Sequence, residues 1–183
     1  MEETAVRILA EIDRLDTIAR AFSRFAAPAL AQDPVEPVDL AAIAGEVVQL
    51  YQLAGEGAVA TVRLEVAGAA WGQSRRDELK EVLVNLLENA RNAGARTITV
   101  EVSVGCVAVR DDGSGIPPSL LPRIFEPRFS TTTSGSGLGL AIVRRLVESW
   151  GGMVEVDSVV GRGTTATVSF AISGVRAPAG EQD

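Results

Sequence analysis

The sequence contains no histidine and a single cysteine, Cys106. Without these side chains the chain cannot assemble the Cys and His ligand sets of structural zinc or iron-sulfur centres. The same lack excludes Ser-His-Asp and Cys-His catalysis, because both need an imidazole as the base. One cysteine also leaves no pair for an internal disulfide.

Positive charge is scarce as well: Lys80 is the only lysine, and 17 Lys+Arg face 24 Asp+Glu, for a net charge of −7. Such an acidic chain suits nucleic acid phosphates poorly, so we expect no nucleic acid partner. No glycine-rich loop precedes Lys80, which excludes a Walker-type phosphate-binding loop. No apolar run approaches the roughly 20 residues that span a bilayer, and no signal peptide opens the chain. We therefore expect no membrane segment and a cytoplasmic protein.

The rest of the composition is that of a globular chain. Its 183 residues are 46% hydrophobic and 22% charged, enough for a core without cross-links. Apolar residues at steps of three and four predict an amphipathic helix over residues 1–28, which needs a partner surface on a second copy or on its own domain. Pro34 and Pro37 predict a linker over 29–37. A main domain then covers 38–173, and 174–183 form a flexible tail.

Hydrophobic periodicity predicts helices alternating with strands in the main domain. Helical periods cover residues 39–54, capped by Asp39, and residues 77–93 and 138–150. Strand patterns cover residues 59–66, 97–104, 106–109, 153–158 and 164–171. The segment 117–137 is rich in Pro, Ser, Thr and Gly and long for a connection, which predicts a functional lid. We predict an α+β fold, a two-layer sandwich with helices covering one face of a mixed, mostly antiparallel sheet.

Three asparagines share one face of the helix predicted at 77–93. Steps of three and four place Asn85, Asn89 and Asn92 opposite the apolar stripe, together with Glu78 and Glu81. Asparagine is a mediocre helix former, so the presence of three asparagines on one helix face requires an explanation. One interpretation is a solvated polar face. The other is a set of carboxamide oxygens that bind a hard cation such as Mg²⁺.

A second candidate site is the run Asp111-Asp112-Gly113-Ser114-Gly115, which follows a predicted strand. A buried Asp111 can accept a hydrogen bond from an exocyclic amine such as that of adenine, and the glycines let the backbone approach a flat ligand. An ordinary Asp-Gly turn is the alternative explanation.

A third candidate site is the alternation of Gly135, Gly137 and Gly139 directly before an apolar helix. Free backbone amides and the positive end of the helix dipole indicate an anion site. The spacing differs from the Gly-x-Gly-x-x-Gly of dinucleotide folds. The alternative is a loop with a helix cap.

Four motifs follow one another along the chain. They are Asn85-Leu86-Leu87-Glu88-Asn89-Ala90, Asp111-x-Gly113-x-Gly115, Phe125-Glu126-Pro127 and Gly135-x-Gly137-Leu138-Gly139-Leu140. In this order they resemble the catalytic, ATP-binding domain of bacterial sensor histidine kinases, whose fold is shared with gyrase, Hsp90 and MutL ATPases. The resemblance runs over about residues 38–171 and implies a Bergerat-type ATP-binding fold with ATP and Mg²⁺ as its ligands.

The resemblance implies a role for each matching position. Asn89 resembles the Mg²⁺ ligand and Asn85 the polar residue one turn before it, and both are the candidates for catalysis. Asp111 is similar to the aspartate that receives the adenine amino group, and Thr164 to the threonine that supports this contact through water. Residues 118–136 would form the ATP lid. The ATP-binding candidates are Asn89, Asn92, Asp111, Gly113, Gly115, Gly135, Gly137, Leu138, Gly139 and Thr164.

The chain departs from related ATPases at two positions. Hydrolytic relatives place a glutamate general base where this chain has Asn85, and an amide cannot take a proton from water. The departure favours phosphoryl transfer over rapid hydrolysis. Asn92 stands where many kinases have a basic residue, and Arg91, Arg123 or Arg128 could supply that charge instead.

Residues 1–28 resemble the second helix of a dimerisation and phosphoacceptor hairpin. Because the chain lacks histidine, a histidine kinase of this sequence must phosphorylate a histidine on another chain or segment. The resemblance implies ATP, a phosphoacceptor histidine domain, a response regulator and, through the N-terminal helix, a second copy as partners. Two alternatives stay open, a nucleotide-binding regulatory module without kinase chemistry and an anti-sigma-type serine kinase, which shares this fold.

Overall fold

The computed structural model describes residues 34–53, 60–130 and 137–171. The helix predicted over 1–28, the first part of the predicted linker, Gly135 and the predicted tail lie outside the described residues. No helix within the described ranges is both long and apolar enough to span a membrane.

The described residues form seven strands, three α-helices and a short 3-10 helix, Leu121–Arg123. In chain order these are β1 Glu36–Asp39, α1 Leu40–Leu53, β2 Thr61–Val66, β3 Trp71–Ser74, α2 Arg76–Asn92, β4 Thr97–Ser103, β5 Cys106–Asp111, α3 Gly139–Ser149, β6 Met153–Val159 and β7 Gly163–Ser169. The helices and strands predicted from periodicity in the main domain are all present, with small shifts at their ends. Among these shifts, the one at the end of β5 affects a predicted site residue. The strand continues through Asp111 instead of ending at residue 109.

Each helix forms where its apolar residues recur at the helical period. The backbone N–H of Ala42 donates to Asp39 Oδ1 at 3.0 Å, which confirms the predicted cap of α1 and satisfies one of its unpaired donors. On α2 the predicted apolar stripe is buried. Its members are Leu79, Val82, Leu83, Leu86, Leu87 and Ala90.

Strands β1 and β3 were not predicted. They form a small antiparallel sheet in which Val38 faces Gly72 and Pro37 faces Gln73. Neither sequence alternates clearly, because β1 contains a proline and β3 a glycine, so only their pairing reveals them. The linker predicted over 29–37 therefore overlaps ordered structure at its end, since Glu36 already pairs with Ser74.

The main sheet has five strands in the order β2-β4-β5-β7-β6. Strands β2 and β4 are parallel, and the other three neighbouring pairs are antiparallel. One face packs on the helices to form a single core cluster that includes Ile98, Val100, Val109 and Val168. The predicted mixed, mostly antiparallel sheet with helices on one face is confirmed.

The strand register brings three polar residues to one row of the helical face. Ile98 of β4 pairs with Asp111, Asp111 with Thr164, and Thr164 with Ser158. Cross-strand partners share a face, and Ile98 is fully buried in the core. Asp111, Thr164 and Ser158 therefore lie on the helical side of the sheet.

Candidate active site

Asp111 is the last residue of β5, and its half-buried carboxylate is held by backbone donors. Gly113 N–H donates to Asp111 Oδ1 at 2.8 Å, and the backbone N–H of Thr164 also donates to the carboxylate. Burial raises the pKa of Asp111, while these two N–H groups act in the opposite direction. A carboxylate has about four acceptor positions, so it retains capacity for a donor on a ligand.

Two glycines around Asp111 have no room for a side chain. A Cβ at Gly113 would stand 2.8 Å from Asp111 Oδ1 and 2.9 Å from the Ala93 carbonyl oxygen. Gly163 has φ +109, and a Cβ there would overlap the carbonyl oxygen of Asp111. Gly163 was not among the predicted site residues, although it directly precedes Thr164.

Ser158 links the segment after Gly115 to β7. The backbone N–H of Ile116 donates to Ser158 Oγ at 2.8 Å, and Ser158 Oγ lies 2.9 Å from Thr164 Oγ1. Gly115 has φ +69 and packs against the Val159 carbonyl so closely that a Cβ would overlap it. Sequence reasoning missed Ser158, because only the pairing of β6 with β7 places it beside Thr164.

Two of the predicted asparagines lie together against the start of α3. Asn85 Nδ2 donates to the Glu81 carbonyl oxygen at 2.9 Å. The side-chain Nδ2 of Asn89 is buried and has no hydrogen-bond partner among the described residues. A Cβ on Gly139 would stand 3.1 Å from Asn85 Oδ1 and 3.7 Å from Asn89 Oδ1. Both amides therefore face the first residue of α3.

The other polar residues of α2 do not join this group in the same way. Glu78 accepts from the indole N–H of Trp150 at 2.6 Å and from Arg75 at 3.1 Å, so it links α2 to the end of α3. Asn92 is exposed at the last position of α2. The polar residues predicted on one face of α2 therefore have different surroundings. Glu78 contacts the end of α3, the amides of Asn85 and Asn89 face its start, and Asn92 is exposed.

A backbone hydrogen bond joins described residues that lie before and after positions 131–136. Arg128 N–H donates to the Gly137 carbonyl oxygen at 2.9 Å. Gly137 has φ +65, and a Cβ on it would stand 2.6 Å from the Arg128 carbonyl carbon. Arg128 itself has φ +66, a conformation that non-glycine residues adopt rarely. Leu138 then caps α3, because its carbonyl oxygen accepts the Ile142 N–H at 2.9 Å.

Two of the three arginines considered for phosphate binding are engaged elsewhere. Arg91 pairs with Glu88 at 2.9 Å and lies over the Tyr51 ring. Arg123 pairs with Glu126 at 3.1 Å and lies over the Phe129 ring. Arg128 is exposed and, like Arg123, lies within the predicted lid segment of residues 118–136.

The chain is similar to known proteins in both sequence and fold. Residues 74–173 match the family described as histidine kinase-, DNA gyrase B-, and HSP90-like ATPase. The chain is 32% identical over 180 residues to the sensor histidine kinase ZraS of Klebsiella oxytoca, covering 94% of this chain and 38% of that protein.

Two solved structures are similar in fold. The catalytic domain of histidine kinase ThkA gives a TM-score of 0.63 at 28% identity, covering 74% of this chain and 94% of that one. Full-length ShkA in complex with AMPPNP gives a TM-score of 0.70 at 26% identity, covering 95% of this chain and 38% of that one. In length, the chain spans only 22% to 38% of the ZraS proteins that it resembles.

Proposed function

The chain belongs to the histidine kinase-, DNA gyrase B- and HSP90-like ATPases, and we propose that it binds Mg²⁺-ATP and transfers the γ-phosphoryl group to a histidine supplied by another chain or segment. In this proposal it acts as the catalytic domain of a two-component sensor histidine kinase. The ZraS relatives reported above are sensor histidine kinases, the similar ThkA structure is the catalytic domain of a histidine kinase, and the similar ShkA structure holds AMPPNP.

The observation that carries the proposal is the contact of Gly139 with Asn85 and Asn89. It joins the N-terminus of α3, whose free amides and dipole attract phosphate, to two side-chain amides on α2. The first residue of α3 is a glycine, and a Cβ in its place would come within 3.1 Å of Asn85 Oδ1 and 3.7 Å of Asn89 Oδ1. Glycine therefore lets the two helices approach closely, so that the N-terminus of α3 and the two amides of α2 could act on the same phosphate group.

The residues of this amide pair suit Mg²⁺. Magnesium takes oxygen ligands, keeps several waters and usually binds one or two protein groups together with substrate phosphates. Asn89 offers one carboxamide oxygen, and its buried Nδ2, which has no partner within the described part of the chain, is the kind of polar group that a bound ligand would satisfy. When bound, the ion would neutralise charge on the transferring phosphates. Asn89 would hold it, and the backbone amides of Gly137 and Gly139 would orient the phosphates.

At the other end of the site, Asp111 would bind the base. Its carboxylate can accept from the exocyclic amine of adenine while Gly113 and Thr164 hold it in place. Gly113 and Gly115 would shape the pocket, because neither leaves space for a side chain. Asn92, Leu138 and Gly135 complete the proposed ATP-binding set, and Arg128 is our choice for the positive charge.

The identity of residue 85 favours transfer over hydrolysis. The amide of Asn85 donates to the Glu81 carbonyl at 2.9 Å, and an amide cannot accept a proton from an attacking water. Phosphoryl transfer depends mainly on positioning and charge neutralisation. A well-placed acceptor histidine would therefore react although water is not activated.

The same proposal includes the partners and the location. The sequence has no histidine, so the acceptor must be a phosphoacceptor histidine domain. A response regulator would receive the phosphoryl group next, and the N-terminal segment would support a homodimer. Because the reaction consumes ATP, we propose a cytoplasmic location.

A transfer assay tests this function directly. The chain is incubated with Mg²⁺, γ-labelled ATP and a phosphoacceptor hairpin, and the same hairpin with its histidine replaced by alanine serves as the control. We expect label on the histidine-containing hairpin that is lost in acid, as phosphohistidine is, and no label with Asn89→Ala.

Two other results would replace the proposal. Tight ATP binding without any transfer would favour a regulatory module that performs no chemistry. Acid-stable label would favour a serine kinase. Hydrolysis measured in parallel should remain slow for the chain alone.

A further inference from the structure

Ser158 makes contacts that none of the roles above uses. It lies half-buried in β6, directly opposite Thr164 of β7. Its Oγ accepts the Ile116 N–H at 2.8 Å, donates to the Gly163 carbonyl oxygen at 3.0 Å and lies 2.9 Å from Thr164 Oγ1. One hydroxyl therefore contacts the chain that leaves the Asp111 motif, a strand carbonyl and the hydroxyl of a proposed nucleotide-binding residue.

The number of hydrogens available in this cluster determines which of the two hydroxyls donates to the other. A serine hydroxyl has one hydrogen to donate and two lone pairs to accept. The Gly163 carbonyl can only accept, so the contact at 3.0 Å uses the Ser158 hydrogen. The Ile116 N–H can only donate, so it uses one lone pair. Only a lone pair is then left for Thr164, and the Thr164 hydroxyl must be the donor between them.

With its hydrogen directed at Ser158, Thr164 offers only lone pairs to a ligand. Asp111, its neighbour in register, offers only acceptors as well, because an ionised carboxylate has no hydrogen. An amino group can donate to such a pair of acceptors. A carbonyl oxygen at the same place would meet lone pairs and lose its hydrogen bond to water, which is an unfavourable exchange.

We propose that Ser158 is a positioning residue that sets purine selectivity, an inference that rests on the proposed function. By holding the hydroxyl hydrogen of Thr164, it leaves the Thr164 hydroxyl and the Asp111 carboxylate only acceptors to offer, so that the site selects a 6-aminopurine nucleotide over a 6-oxopurine nucleotide. Its hydrogen bond from the Ile116 N–H also holds the segment that follows the Asp111 motif against β6, beside Thr164 of β7.

The test is the ratio of the dissociation constants of ATP and inosine triphosphate, measured by calorimetry with Mg²⁺. These nucleotides differ in the 6-substituent, an amino group in ATP and an oxygen in inosine triphosphate, and at N1, which accepts in ATP and carries a hydrogen in inosine triphosphate. For Ser158→Ala we expect the preference for ATP to fall by about fivefold or more, the effect of one neutral hydrogen bond, because the Thr164 hydroxyl can then turn and donate. Ser158→Thr keeps the hydroxyl and should restore most of the preference.

Two more variants separate selectivity from folding. Thr164→Val removes the hydroxyl while Ser158 stays, and it should also reduce the preference for ATP. Thr165→Ala is the matched control, because it neighbours Thr164 in β7 but lies on the opposite face of the sheet. It should leave the ratio unchanged.

The outcomes distinguish this inference from the proposed function. If the wild type binds neither nucleotide, the proposed function itself fails. If the wild type binds ATP but Ser158→Ala and Thr164→Val weaken both nucleotides by equal factors, nucleotide binding stands and the selectivity role of Ser158 is refuted. The role is also refuted if the preference for ATP falls as much in Ser158→Thr as in Ser158→Ala, because Ser158→Thr retains the hydroxyl.

Discussion

Replacing Asp111 with asparagine tests the nucleotide site with a small change in shape. The wild-type carboxylate accepts the Gly113 N–H at 2.8 Å and the Thr164 N–H. Asparagine retains one acceptor oxygen, but its NH₂ group can only donate. In the variant, either a backbone N–H or the amino group of the base meets a donor. Losing one charge-assisted hydrogen bond in this way costs about 2–3 kcal/mol of binding free energy, or about 30- to 150-fold in affinity.

A thermal-shift assay makes this loss visible. At an ATP concentration of about one hundred times the dissociation constant, binding stabilises the folded state by about 2.7 kcal/mol. For a chain of this size that raises Tm by about 5–11 °C. With binding weakened as above, the same ATP concentration stabilises the variant by less than about 1 kcal/mol and raises Tm by less than about 4 °C.

The unliganded variant should remain folded, because burial raises the pKa of Asp111 in the folded state. A raised carboxylate pKa means that the ionised group is disfavoured by folding. At neutral pH, asparagine therefore removes an unfavourable charge while it weakens two backbone hydrogen bonds. These effects oppose each other, so we expect Tm without ATP to change by less than about 4 °C.

Asp157→Asn is the matched control, since Asp157 is exposed on β6 and pairs with Thr165 on the opposite face. Its response to ATP should equal that of the wild type. A full ATP shift in Asp111→Asn would refute the assignment of Asp111 to the base. An equal loss in Asp157→Asn would mean that net charge, rather than the pocket, controls binding.

Three further changes test other parts of the structure. Gly139→Ala should keep Tm within about 3 °C, because alanine is the better helix former, but calorimetry should show weakened Mg²⁺-ATP binding since the Cβ would crowd Asn85. Backbone N–H donors from Thr97 and Arg96 lower the pKa of Asp112. Its stabilisation is therefore present above the unfolded pKa and lost as pH falls through the folded value, so urea unfolding should show that the deficit of Asp112→Asn disappears in acid. Ser74 Oγ is buried without a partner among the described residues, so Ser74→Ala should not lower Tm in calorimetry.

The sequence predicted the helices of the main domain well because their periodicity is strong. On α2 the apolar positions recur at steps of three and four, and each of them is buried. The same periodicity placed Asn85 and Asn89 on one face without reference to the rest of the fold. By contrast, β1 and β3 carry no such pattern, and they exist because each supplies the other's hydrogen bonds.

The pocket around Asp111 was only partly predictable, for a reason that lies in the register of the sheet. Asp111 and Gly113 are close in sequence and form one motif, whereas Ser158 and Gly163 are ordinary residues of a hairpin when considered alone. Their importance arises because β7 pairs with β5 and β6, which places Thr164 between Asp111 and Ser158. A slip of one residue would turn Thr164 to the opposite face.

Gly163 connects this register to the close approach of the two strands. Its φ of +109 and the overlap that a Cβ would have with the Asp111 carbonyl mean that substitution there forces β7 away from β5. Since the Thr164 N–H donates to the Asp111 carboxylate, the same displacement would remove a donor from the proposed base-binding group. In the proposed site the hairpin glycine would therefore act on nucleotide binding through strand spacing, which local sequence patterns do not encode.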